Sequence, residues 1–223
     1  MLSLEKEFED RRHAGRVLAR SLLSSLAEVD YQDGIVLGLP RGGVPVAYEV
    51  ARALDLPLDV FIVRKLGVPG FAELAMGAIT TDGTVAMNQA VIQEFGITQE
   101  AIDAVAEREK LEIGRRELAY RNGRAPARIE GRTAILVDDG VATGASMLAA
   151  ARALRRRARK VIVAVPVAAP STCEKLRTEV DEVICVCVPW QFYSVGSFYQ
   201  NFEQTTDEEV RTLLSQSRAD RAA

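Results

Sequence analysis

Two adjacent carboxylates followed by a run of small residues have the clearest chemical use in this sequence. In Ile135-Leu-Val-Asp-Asp-Gly-Val-Ala-Thr-Gly-Ala-Ser146 an apolar stretch runs into Asp138 and Asp139 and then into a loop free of bulky side chains. The backbone N–H groups of Gly140, Val141, Ala142, Thr143, Gly144, Ala145 and Ser146, with the N-terminus of a following helix, can surround a phosphate. The acidic pair would repel a bare phosphate, so it suits the hydroxyls of a sugar or a magnesium ion. Parallel strands present ligands at their carboxyl ends, which is where the pair falls. His13 is the only histidine, so two-histidine metal sites are excluded and acid–base or metal chemistry falls to carboxylates.

These residues need a scaffold, and the hydrophobic pattern supplies one. Apolar runs at 35–39, 59–63, 133–137, 160–165 and 182–188 alternate with helical patterns, which predicts an α/β fold with a five-stranded, mostly parallel sheet covered by helices on both faces. Leu18, Leu22, Leu26 and Val29 share one side of a long N-terminal helix whose other side carries Arg11, Arg12, Arg16 and Arg20. Residues 66–132 break the alternation. Within them, residues 77–87 read as a hairpin turning at Asp82-Gly83. Residues 98–120 read as a helix with Thr98 as N-cap and Glu112 placed to reach Arg115 and Arg116. Its apolar stripe of Ile102, Val105 and Ile113 is interrupted by Glu109 and Arg116, so it is expected to dock lightly, either as a flap over a site or as a plain surface helix. The whole chain, 1–223, is expected to form a single domain, with 66–132 as insertion and 189–205 as a hood segment.

Composition sets further bounds. At 223 residues, 48 % hydrophobic and 26 % charged, the chain has the proportions of a globular protein. The charge sum is 28 minus 31, or −3, which gives no general attraction to nucleic acid or to an anionic membrane. The basic run Arg155–Lys160 follows a helix end, where cations complement the helix dipole, and is read as a solvated face. Cys173, Cys185 and Cys187 read as buried thiols of a reducing cytosol, the last two on one face of a buried strand. The acidic N-terminus lacks an apolar core, and the chain is expected to be cytoplasmic.

The segment 135–146 resembles the phosphoribosyl pyrophosphate (PRPP) signature of the type I phosphoribosyltransferase family. Over residues 1 to about 205 the chain is similar to a bacterial group of predicted phosphoribosyltransferases that read Leu-Pro-Arg-Gly-Gly, then Val-Asp-Asp-Gly-x-Ala-Thr-Gly-Ala, then an aromatic tail with Val-Gly. The resemblance implies that Asp138 and Asp139 hold the ribose hydroxyls, directly or through Mg2+, and that Gly140 to Ser146 hold the 5′-phosphate. It implies a pyrophosphate site at Pro40, Arg41, Gly42 and Gly43, where Arg41 supplies charge and the two glycines let the backbone approach the pyrophosphate and allow backbone conformations forbidden to other residues. Read alone, this loop could be only a tight turn. In the family the bond before the basic residue is often cis, here Pro40–Arg41. Arg64 and Lys65, at the end of the second strand, are expected at the same sheet edge facing the pyrophosphate, the alternative being a solvated strand end.

The segment Trp190–Phe202 holds six of the 13 aromatic residues (one Trp, five Tyr, seven Phe), and its Val-Gly pattern resembles the base site of 6-oxopurine phosphoribosyltransferases. That makes Tyr193 an acceptor-stacking candidate; equally, the aromatics could anchor the tail. The base-reading lysine of the purine enzymes is absent from Val165-Pro-Val-Ala-Ala-Pro170, which argues against purine salvage. The implied activity is Mg2+-dependent transfer from PRPP to an unidentified, nitrogenous acceptor with release of pyrophosphate. The implied partners are small molecules, and a homo-oligomer is compatible with the sequence. The alternative is a PRPP-binding regulator of the same fold without turnover.

Overall fold

The structure is a computed structural model and describes residues 7–222; the first six residues of the acidic N-terminus lie outside it. Helix α1 (Arg11–Ser25) starts where the Asp10 carboxylate accepts the His13 N–H at 2.7 Å. It buries Ala14, Gly15, Leu18, Ala19 and Leu22. Leu26 ends the helix in extended conformation, so Val29 falls in a separate short helix, α2 (Glu28–Tyr31), rather than on the same continuous face. The rest of the core runs β1 (Ile35–Gly38), α3 (Gly43–Leu54), β2 (Leu58–Val60), β6 (Thr133–Val137), α6 (Ala145–Leu154), β7 (Lys160–Val167), α7 (Pro170–Arg177) and β8 (Glu182–Cys187). Between β2 and β6 lie β3 (Val63–Val68), β4 (Phe71–Thr80), β5 (Val85–Met87), α4 (Gln89–Glu94) and α5 (Gln99–Arg121), and the chain closes on α8 (Asp207–Ala222).

The principal sheet has the order β2-β1-β6-β7-β8 and every pairing in it is parallel. β1 and β6 are buried along their whole length, as continuous apolar runs require when helices cover both faces. α3 lies against α1 so closely that a Cβ on Gly15 would sit 2.7 Å from the Val46 carbonyl. Glu49 of α3 is buried there, and Arg12, Arg16 and Arg52 surround its carboxylate.

Four expectations are corrected. The apolar run 59–63 is not one strand: β2 ends at Val60, and Phe61 and Ile62 carry the chain across to β3 of a second, antiparallel sheet, β3-β4-β5. Phe61 donates its N–H to Gly38, while the Ile62 carbonyl accepts from Thr81, so residues 60–63 are apolar because the run passes from one sheet to the other. The insertion therefore starts near 63 and contains two hairpins. One turns at Asp82-Gly83 as expected, with Gly83 at φ 79°; the other turns at Pro69-Gly70, with Gly70 at φ 81°.

Helix α5 begins at Thr98 as expected, the hydroxyl accepting the Ala101 N–H. It is not lightly docked. Glu109, inside the apolar stripe, is buried and bonded to Arg64 at 2.7 Å. Arg121, 3 % exposed, donates to both carboxylate oxygens of buried Asp59 and to the Val60 carbonyl. β8 is an edge strand with Val186 exposed, so only Cys173 is buried, and Cys185 and Cys187 are half-buried. The basic run is also more specific than a solvated face. Arg155 donates to the Glu179 carbonyl, Arg157 to Glu130 and Asp82, and Arg159 to the Thr133 hydroxyl.

Candidate active site

The loops after β1 and β6 leave neighbouring parallel strands at their carboxyl ends and meet directly. After β6, Asp138 and Asp139 lead into a loop held by its own backbone: Val141 donates to Val167 and accepts from Ala169. Thr172 of α7 donates its hydroxyl to the Ala142 carbonyl at 2.5 Å. Gly144 caps α6 at φ 78°, a left-handed turn that glycine adopts without steric cost. Ala142, Thr143, Ala145 and Ser146 are exposed at the head of α6. An open loop with two hydroxyls at a helix N-terminus has the geometry to receive an anion.

After β1, the Pro40–Arg41 peptide is cis, and Gly42 and Gly43 lie against the acidic pair. A Cβ on Gly42 would overlap the Asp139 carboxylate, and one on Gly43 would come within 2.8 Å of Asp138 Cα. Gly42 is right-handed, with φ −60° and ψ −31°, and Gly43 opens α3 without a positive φ. Neither glycine uses its conformational freedom here: a side chain at 42 would meet the Asp139 carboxylate, and one at 43 the backbone at the end of β6.

Burial and the neighbouring Asp139 charge push the Asp138 carboxyl well above its ordinary range. Burial raises Asp139 as well, opposed by a guanidinium from α1: Arg11 Nε lies 2.7 Å from Asp139 Oδ2. Arg11 also donates to the Glu203 carbonyl and stacks over the Phe202 ring at 3.9 Å. The sequence placed Arg11 on the exposed side of its helix, and nothing local to residues 9–13 points to Asp139. Tyr199 is a second contact that sequence reading missed: it is buried and donates its hydroxyl to the Asp139 carbonyl at 2.5 Å.

The other residues singled out are placed less centrally. Arg41 Nη1 is 3.8 Å from Asp207 Oδ1 at the start of α8. Arg64 and Lys65 stand on β3 and line a cavity of about 520 Å³ with Gly70, Val105 and Glu109, to which neither the acidic pair nor the glycine loop contributes. The aromatic hood divides in two. Phe198 and Tyr199 anchor it, Val195 packs on Gly140, and Phe192 stacks on Phe198 at 5.8 Å. Trp190 and Tyr193 are exposed, at 95 % and 73 %.

A five-stranded parallel sheet with an acidic pair, a small-residue loop and a glycine loop on adjacent strand ends defines a type I phosphoribosyltransferase fold. The chain belongs to that family: the model of the phosphoribosyl transferase domain matches residues 6–199. Over 216 residues, 96 % of its length, it is 44 % identical to provisionally named phosphoribosyl transferases from two strains of Mycobacterium tuberculosis. It spans about half of those relatives, 48 % of each. The crystal structure of TT1426 from Thermus thermophilus is similar at a TM-score of 0.81 and 43 % identity, covering 94 % of this chain and 98 % of that one.

Proposed function

We propose that this domain transfers the phosphoribosyl group of PRPP to a nitrogenous acceptor, with Mg2+ bound and pyrophosphate released. The observation that carries the reading is the contact of the two loops at the acidic pair. One ligand with a phosphate at one end and a pyrophosphate at the other would span from the α6 loop to the glycine loop, its ribose between them at Asp138 and Asp139. The bond from the anomeric carbon to the pyrophosphate oxygen breaks, the bond to the acceptor nitrogen forms, and the acceptor's proton passes to solvent.

In this reading Gly140–Ser146 hold the 5′-phosphate by backbone N–H groups and the Thr143 and Ser146 hydroxyls. Pro40–Gly43 receive the pyrophosphate, with the N-terminus of α3 and Arg41 opposing its charge. Arg41, in the glycine loop itself, would stabilise charge on the leaving group, with Arg64, bonded to Glu109, and Lys65 of β3 as further basic candidates. The chain also fits a divalent cation: two half-buried carboxylates share one guanidinium, an anionic excess that a cation relieves. Among the described residues no group of three or more His, Cys, Asp or Glu could hold a metal, so Asp138 and Asp139 would share the ion with substrate oxygens. Bound Mg2+ would neutralise charge on the departing pyrophosphate. Among the described residues no helix is long and apolar enough to cross a membrane, and the three free thiols suit a reducing cytoplasm.

Calorimetry with PRPP, pyrophosphate and ribose 5-phosphate in the presence of Mg2+ tests the reading. Arg41→Ala should weaken PRPP and pyrophosphate by roughly 1.5–3 kcal/mol, the worth of a charge-assisted contact, and leave ribose 5-phosphate nearly unchanged. Equal losses for all three ligands would move the pyrophosphate elsewhere. PRPP binding without pyrophosphate release across an acceptor screen would favour the regulator.

A further inference from the structure

A cavity of about 470 Å³ lies at the opposite edge of the sheet from the loops above, beside Pro57 and Leu58 where β2 begins. One wall is the turn after α5, with Arg124 and Ala127, and the other is the last part of α8, with Ser217, Arg218 and Arg221. Arg221 faces Asp55 at 3.6 Å, and Asp59 is already engaged by Arg121. Arg124 and Arg218 have no carboxylate partner among the described residues. A second hollow, of about 600 Å³ between α5 and α8, shares both of these arginines. In a chain of net charge −3, Arg124, Arg218 and Arg221 line one concavity in which Asp59, shared with Arg121, is the one carboxylate, which leaves a local excess of positive charge.

We propose that this α5–α8 cleft is a second anion site, distinct from the loops after β1 and β6, that takes a phosphate ester of mononucleotide size. Planar guanidinium groups match phosphate oxygens in paired hydrogen bonds, and Arg124 and Arg218 supply two of them. Pro57, Leu58 and Ala127 offer an apolar wall to the rest of the ligand, the usual make-up of a small-molecule site. Burial and then neighbouring Arg124 hold the Arg218 guanidinium below its ordinary range, against the pull of Asp59, a setting that favours an anion between the two arginines. The cleft also has a physical route to the glycine loop. At its other end α8 begins with Asp207, which accepts the Tyr120 hydroxyl of α5 at 2.8 Å and faces Arg41.

Calorimetric titration of AMP into the full chain, with PRPP and Mg2+ at saturation, tests the assignment; inorganic phosphate is the minimal probe and ribose the uncharged control. The expected result is AMP and phosphate binding without ribose binding, weakened at least about tenfold in Arg124→Gln/Arg218→Gln while the thermal shift caused by PRPP stays unchanged. Arg124→Gln alone, on an exposed turn, serves if the double variant does not fold and should give several-fold weakening. Equal AMP affinity in wild type and variant, or no AMP heat at millimolar concentration, would overturn the site. If PRPP itself fails to bind, the proposed function falls, while the comparison of wild type and variant still decides the cleft.

Discussion

Arg11 and Asp139 are 128 positions apart and form a 2.7 Å ion pair with side chains only 12 % and 15 % exposed. One guanidinium thereby joins α1, the acidic pair and the hood, because the same group donates to the Glu203 carbonyl and covers Phe202. Arg11→Gln should destabilise the protein by about 3 kcal/mol at pH 7, since it strands a half-buried carboxylate beside another. Hydrogen exchange should quicken at residues 200–205, and added Mg2+ should restore more of the lost Tm than it adds to wild type. Unchanged exchange in the hood would show that Arg11 does not hold it.

The acidic pair should set a pH dependence of the opposite sign to that of most surface carboxylates. Burial raises Asp138 first and the Asp139 charge raises it further. A raised folded-state pKa contributes stability below the unfolded value, near 4, which is lost as pH rises through the folded value. Asp138→Asn should therefore raise Tm at pH 7, and the gain should shrink toward pH 4. The Asp139 N–H keeps its acceptor, which lies at 2.9 Å in the wild type, through the amide oxygen. The variant should lose PRPP and Mg2+ binding. Scanning calorimetry across pH, with and without Mg2+, reads both.

Gly42→Ala separates packing from backbone strain, because residue 42 is right-handed and tolerates a Cβ in itself. The methyl group collides with the Asp139 carboxylate. A loss of about 1–3 kcal/mol is expected from overpacking, accompanied by displacement of the acidic pair and loss of PRPP affinity. Urea melts and PRPP titration check the two parts; full affinity in the variant would mean that the loops are not pressed together as described.

Arg121→Ala removes the buried partner of Asp59 and should cost about 3–5 kcal/mol, a large share of a typical domain's stability. Arg115→Ala, whose partner Glu112 sits on the same exposed helix face, should cost under about 0.5 kcal/mol. Denaturant unfolding of the two variants measures how firmly α5 is fixed. Equal small losses would restore α5 as a loosely attached flap.

Whatever depends on consecutive residues could be read from the order of the chain. Asp138 to Ser146, the acidic pair and the loop proposed to receive phosphate, are one unbroken segment, because such a loop is made from successive backbone N–H groups at a helix start. The parallel sheet was legible in five apolar runs, the hairpin in Asp82-Gly83 and the α5 start in Thr98, each a local signal with a local cause. What stands opposite each of these emerged only on folding. Periodicity says that Arg11 and Arg121 lie on particular helix faces, but not that Asp139 and Asp59 meet them 128 and 62 positions away. Residues 60–63 are apolar whether they serve one strand or pass between two sheets, so the division at Phe61 was invisible. Gly42 and Gly43 suggested backbone freedom, yet what leaves them no room for a side chain is the Asp139 carboxylate at one and the β6 backbone at the other. Charge pairing and close approach are properties of surfaces brought together by folding, and the chain's order does not record which surfaces meet.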